Sequence, residues 1–242
     1  MRPDCSSNPP SSLELASGEL TEVKDLHAKS LSAFPFLSDA RFERTCKQPT
    51  DKGLSSRGVA AVEAMLEHRV LIDLSHMNEL ALRDTFALLD AHDPGKRVPV
   101  LATHGGFRFG TQHYNLSPET LHAIRDRDGV AGLIFAQHQI WDGLQDSRFP
   151  RLARLKESWR KSFERLCLHI DAIAEHTGGY RHIGIGSDLD GFIKPTLKGL
   201  KDASDMKRLE HALSERYGTA NAALMCSQNA LRPLQTYWRG AP

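Results

Sequence analysis

The sequence predicts an α/β protein organised on a parallel sheet. Short apolar runs of strand character alternate with longer stretches of helical period. Three of the apolar runs end, in chain order, in His76, His104 and Asp188. In parallel folds the C-terminal strand ends share one rim, where side chains from separate strands meet.

Strands are expected at residues 70–74, 98–103, 130–135 and 182–187, each rich in Val, Ile or Leu. Helices are expected at 56–68, 79–91, 117–127 and, as one long element, 151–177. Asn78 and Ser117 are placed to cap the second and third helices, and Pro118 suits the first turn of the third. Right-handed crossovers would set the four strands side by side.

The chain has 242 residues, 40% hydrophobic and 25% charged, with a formal net charge of +1. These values suit one globular domain and give no electrostatic signature of nucleic-acid binding. No apolar run reaches the roughly 18–20 residues of a membrane span, and the N-terminus lacks the apolar core of a secretory signal. A cytoplasmic setting is therefore expected. Cys5, Cys46, Cys167 and Cys226 have no CxxC spacing, so reduced, structural thiols are expected. Residues 1–52 open with the polar, turn-rich run Cys5-Ser6-Ser7-Asn8-Pro9-Pro10 and are expected to be poorly structured, ahead of a folded portion from 53 to 242.

Neutral imidazole and carboxylate are natural ligands for zinc and similar ions. A single His after an apolar run is more often a hydrogen-bonded structural residue, and a single Asp there often caps a helix. Three at equivalent strand ends point to a metal site. Asp73, with the opposite parity to the strand's rim residue, is expected to fix neighbouring backbone.

Four ordered motifs carry a family resemblance: Asp73-Leu74-Ser75-His76, Thr103-His104-Gly105-Gly106, Tyr114-Asn115-Leu116-Ser117-Pro118-Glu119 and Gly186-Ser187-Asp188-Leu189-Asp190-Gly191. Together they resemble the membrane (renal) dipeptidase family, peptidase family M19, from about Gly53 to Arg232. The resemblance implies a zinc-dependent TIM-type (β/α) barrel that cleaves dipeptides at a binuclear centre. Strands five, six and eight of that barrel supply His, His and Asp. His76 and His104 are then metal ligands, and Asp188 is both a ligand and the catalytic acid–base for the attacking water. Asp190 would orient the site. The family's substrate-anchoring arginine falls at Tyr114, beside Asn115; Arg108, on the same loop, is the candidate replacement, and His138 a candidate pocket residue.

The family's first strand also ends in His-x-Asp, and its third supplies a bridging glutamate. Neither occurs here in context. The one His-x-Asp, His169-Ile170-Asp171, lies in a run of helical period, and His27 is the one histidine near the position of a family substrate contact. The expected architecture is therefore a partial barrel, strands five to eight. Two functions follow. One is a metallodipeptidase acting on dipeptides; the other is a truncated, inactive homologue serving as a binding or assembly module. Exposed sheet edges would favour self-association into a homo-oligomer.

Overall fold

The computed structural model describes residues 52–239 apart from Asp146, Phe192 and Lys194. The expectations for residues 1–51, including His27, Cys5 and Cys46, lie outside the described residues.

The alternating pattern folds as read. Helix α1 (Ser56–Glu67) leads to β1 (Ile72–Asp73), α2 (Glu79–His92), β2 (Val100–Gly105), α3 (Pro118–Asp126) and β3 (Val130–Leu133). After β3 come α4 (Gln137–Trp141), α5 (Pro150–Ala153), α6 (Trp159–Thr177) and β4 (Ile183–Ile185), then α7 (Met206–Tyr217), α8 (Thr219–Ala223) and α9 (Asn229–Arg239). The four strands form one parallel sheet in the order β1-β2-β3-β4.

Helix starts follow side-chain capping. Asn78 Oδ1 accepts from Ala81 N at 2.8 Å, and Ser117 Oγ from Thr120 N at 3.2 Å with Pro118 at the first position. The long helix expected over 151–177 is instead two. Pro150 opens a four-residue helix, and Ser158 starts α6 afresh by capping Lys161 N. A serine oxygen that competes for the first amides of a turn favours a new helix start over continuation. The strands are also shorter than expected. β1 pairs over two residues, with β2 as its one neighbour among the described residues, and His182 closes a 3-10 turn before β4.

The core lies where helices back the sheet. Ile72, Val100 and Ala102 point into it, with Leu82 and Leu89 of α2, Leu121 and Ile124 of α3, and Leu166, Ile170 and Ile173 of α6. All four residues of β3 are buried, as expected for a central strand covered on both faces. On β2 the alternate residues are open instead: Leu101 is half-buried and Thr103 exposed. Beneath the sheet, α9 ties the N-terminal strand ends together. Asn229 Nδ2 donates to Tyr180 O and Ile183 O at 2.7 and 2.8 Å, Arg232 Nε donates to Asp128 at 3.0 Å, and Arg69 Nε donates to Tyr237 O at 3.2 Å.

The β2–β3 register is regular through Ala102↔Ala131 and then shifts before Gly105↔Leu133. Thr103 and His104 occupy that irregularity. A bulge of this kind re-aims side chains at a strand end. Glycines make room for it: an ideal Cβ would lie 2.1 Å from Thr103 O at Gly132 and 1.7 Å from it at Gly186, far inside contact distance. Only glycine lets the neighbouring backbones approach Thr103 this closely.

Candidate metal centre and rim

The strand-end histidines meet. His76 Nε2 lies 2.7 Å from His104 Nε2, with ring centroids 4.7 Å apart. His76 reaches this position from a left-handed backbone, φ 64°, and Asp188 likewise sits at φ 53°. The left-handed region costs a non-glycine residue roughly 1–2 kcal/mol, and such strain clusters at functional sites. The other three described non-glycine residues with positive φ, Arg69, Lys96 and Asp128, are not strand-end residues of the rim.

A hydrogen-bond chain sets the tautomer of His104. Thr103 Oγ1 donates to Asp73 Oδ2 at 2.5 Å, so its oxygen is left to accept from His104 Nδ1 at 2.9 Å. The proton then belongs on Nδ1, and Nε2 presents its lone pair toward His76. Asp73 also accepts from Thr103 N and Ser75 N at 2.9 and 3.0 Å. Burial pushes the Asp73 carboxyl up, but the hydrogen bonds from Thr103 and Ser75 outweigh it and hold the group below the usual carboxylate range. His76 keeps part of its surface open to solvent, yet desolvation of its ring by the rim and the neighbouring His104 push it down, against the pull of the Asp73 and Asp188 carboxylates. The two imidazoles face each other across that short contact.

Two nitrogens on one tetrahedral zinc, each about 2.0–2.1 Å from it, stand about 3.3 Å apart. The pair at 2.7 Å would have to open by roughly 0.6 Å to take an ion between them, a small rotation for an exposed and a half-exposed side chain. The donor chemistry fits a divalent ion. Among the described residues, however, no three His, Cys, Asp or Glu side chains gather closely enough to hold one. Asp188 is half-buried on the loop after β4, with its carboxylate over Gly191, where a Cβ would come 2.4 Å from Oδ2. Asp190 is exposed.

The remaining candidates lie on two segments. The loop after β2 carries Arg108, Tyr114 and Asn115. Arg108 donates to Asn115 O at 2.9 Å, to His113 O at 2.7 Å and to Glu79 Oε1, so its guanidinium braces its own loop. Buried Asn115 donates to Gln139 O at 3.0 Å. His138 sits on α4, with its ring 6.1 Å from that of Tyr114. Sequence reasoning gave no role to Thr103 or to His169. The signal for His169 was present: a histidine on the apolar face of α6, in step with Leu166, Ile170 and Ile173.

The family model for membrane dipeptidase (peptidase family M19) matches residues 11–237. A protein of Klebsiella pneumoniae described as an uncharacterized protein in the pqqA 5′ region is 31% identical over 193 residues, covering 78% of this chain and 63% of its own. Dipeptidase aclJ of Aspergillus oryzae is 26% identical over 171 residues, 70% of this chain and 35% of that one. Among solved structures, dipeptidase AC, a metallopeptidase of family M19, superposes with a TM-score of 0.63 at 27% identity, covering 80% of this chain and 51% of that chain. A Rhodobacter sphaeroides metallopeptidase bound to a phosphinate mimic of L-Ala-D-Ala gives 0.63 at 28% identity, 78% and 49%. The chain thus spans between about a third and two-thirds of the length of these relatives. The chain belongs to the membrane dipeptidase family, peptidase family M19.

Proposed function

We propose that this chain supplies the His-His-Asp rim of a metallodipeptidase that hydrolyses the peptide bond of dipeptides. The observation that carries the reading is the contact of His76 Nε2 and His104 Nε2, with His104 held in one tautomer through Thr103 by Asp73. His76 and His104 would hold a divalent ion, zinc by resemblance to the family. When bound, the ion acidifies a water and polarises the scissile carbonyl. Asp188 would take the water's proton and pass it to the leaving amine, with Asp190 beside it orienting the loop. Tyr114, Asn115 and His138 would line the dipeptide cleft, and Arg108 would shape it by bracing the loop. The remaining ligands of a binuclear centre would come from outside the described residues or from another chain, a second copy included.

A second reading has its own support: without a third gathered ligand among the described residues, the pair would bind an ion weakly, and the chain would act as a binding or assembly module. Hydrolysis of a dipeptide panel with and without added zinc, by wild type and Asp188→Asn, separates the two. Zinc-dependent turnover that falls roughly 10²–10⁴-fold in Asp188→Asn supports the enzyme. No turnover in wild-type protein loaded with zinc overturns it.

A further inference from the structure

His169 lies outside the metal-ligand candidates, yet it is fully buried and both its ring nitrogens are engaged by the rim. Nδ1 accepts from Phe107 N at 2.9 Å, two residues beyond the Gly105 end of β2. Nε2 donates to Ile140 O of α4, also at 2.9 Å. One nitrogen accepts and the other donates, so the ring is a single neutral tautomer. Phe107 stacks on His176, one heptad along α6, at 5.2 Å, and the Phe109 ring meets the His169 ring edge-on at 5.0 Å. Gly106 allows this approach, since a Cβ there would lie 2.8 Å from Nδ1.

The two segments that His169 joins are those that carry the candidate substrate residues: Arg108, Tyr114 and Asn115 on one, His138 on the other. We infer that His169 is a positioning residue that fixes the separation of the loop after β2 from helix α4, and thereby the width of the dipeptide cleft. The cleft assignment rests on the function proposed above; the tether does not. Burial pushes the imidazole down to about 4, so it stays neutral and keeps both bonds across the range where the enzyme would work. Two direct links, Asn115 to Gln139 O and Gln112 N to Asp142 Oδ2 at the C-cap of α4, hold the rest of the same loop to the same helix. Loss of His169 would therefore free the Phe107 end of the loop, not detach it.

The test uses the full chain and three variants. His169→Phe removes both bonds, His169→Asn keeps an acceptor near the Nδ1 position, and His169→Gln keeps a donor near the Nε2 position. Amide hydrogen exchange at Phe107, whose N–H donates to Nδ1, is read against Leu133 of β3, which reports global stability; the carbonyl carbon NMR shift of Ile140, whose oxygen accepts from Nε2, reports the other bond. In His169→Phe, exchange at Phe107 should rise at least tenfold more than at Leu133, and the Ile140 carbonyl shift should move upfield as its hydrogen bond is lost. His169→Asn should restore Phe107 alone, and His169→Gln should restore Ile140 alone; either substitution serves if the Phe variant fails to fold. Kinetically, KM for alanylalanine should rise about tenfold with kcat within about threefold, and preference between alanylalanine and leucylleucine should narrow. Exchange at Phe107 and Leu133 changing in parallel, with the Ile140 carbonyl shift unmoved, in every variant that folds would overturn the positioning role. Selective exchange together with a wild type that hydrolyses no dipeptide would keep the tether and reject the dipeptidase reading.

Discussion

The two sides of the sheet are built to different standards. Around β3 every strand residue is buried, α6 covers it with Leu166, Ile170 and Ile173, and the histidine in that layer has both nitrogens bonded. Around β1 and the end of β2, pairing covers two residues, Thr103 is exposed, and the histidines face each other across a single hydrogen bond. The first region is dry and over-determined, and it holds geometry; the second keeps donors exposed and able to move by the few tenths of an ångström a ligand requires. Functional groups belong on the second and their supports on the first.

Substitutions on the two sides should therefore differ in cost. Leu133→Ala, in β3, should lower unfolding free energy by about 2–5 kcal/mol, whereas Leu101→Ala, on the open face of β2, should lose well under half of that. Urea denaturation of both variants measures the contrast, and equal losses would erase it.

His169 gives the dry side a pH signature. Its pKa is about 4 folded against an ordinary 6.5, so the unfolded chain binds the extra proton first as pH falls. The stabilisation is complete above pH 6.5 and is lost progressively toward pH 4, by roughly 3 kcal/mol in all. Denaturation of wild type and His169→Asn at pH 7 and pH 4.5 checks it: the wild type should lose more of its stability between the two. A parallel decline would remove His169 from the account.

Gly132→Ala probes the boundary between the regions. Its Cβ would force the Thr103 carbonyl to move, costing about 1–3 kcal/mol and disturbing the aim of His104. Denaturation together with zinc titration should show both effects; lost stability with unchanged zinc affinity would detach the bulge from the site.

Asp73→Asn should have the smallest effect on folding, about 1 kcal/mol, while weakening zinc affinity about 10–100-fold because the proton on His104 is no longer held at Nδ1. Calorimetric titration reads it directly, and an unchanged affinity would mean that the Thr103 link does not set the tautomer.

What the sequence made legible follows the same division. The helices announced themselves through Asn78, Ser117 and Pro118, and the strand ends through His76, His104 and Asp188, because local caps and apolar runs act within a few residues. Asp73 was read as a backbone brace, and it does bond Ser75 and Thr103. The register shift at Thr103 was not legible, since it depends on Gly132 and Gly186 from two other strands. His169 was read as a feature of a helix, which it is, but its partners Phe107 and Ile140 lie 62 and 29 residues away. The single helix expected over 151–177 failed at Ser158, where a cap signal lay inside a pattern that otherwise continued.

The most direct test of the central claim, that His76 and His104 form one divalent-ion site, is calorimetric zinc titration of wild type, His76→Ala and His104→Ala. Both positions are at least partly open to solvent, so the variants should fold. The account predicts a wild-type binding event that weakens at least tenfold in each variant, with the double variant no worse than the poorer single one. Equal zinc affinity in all of them would contradict it.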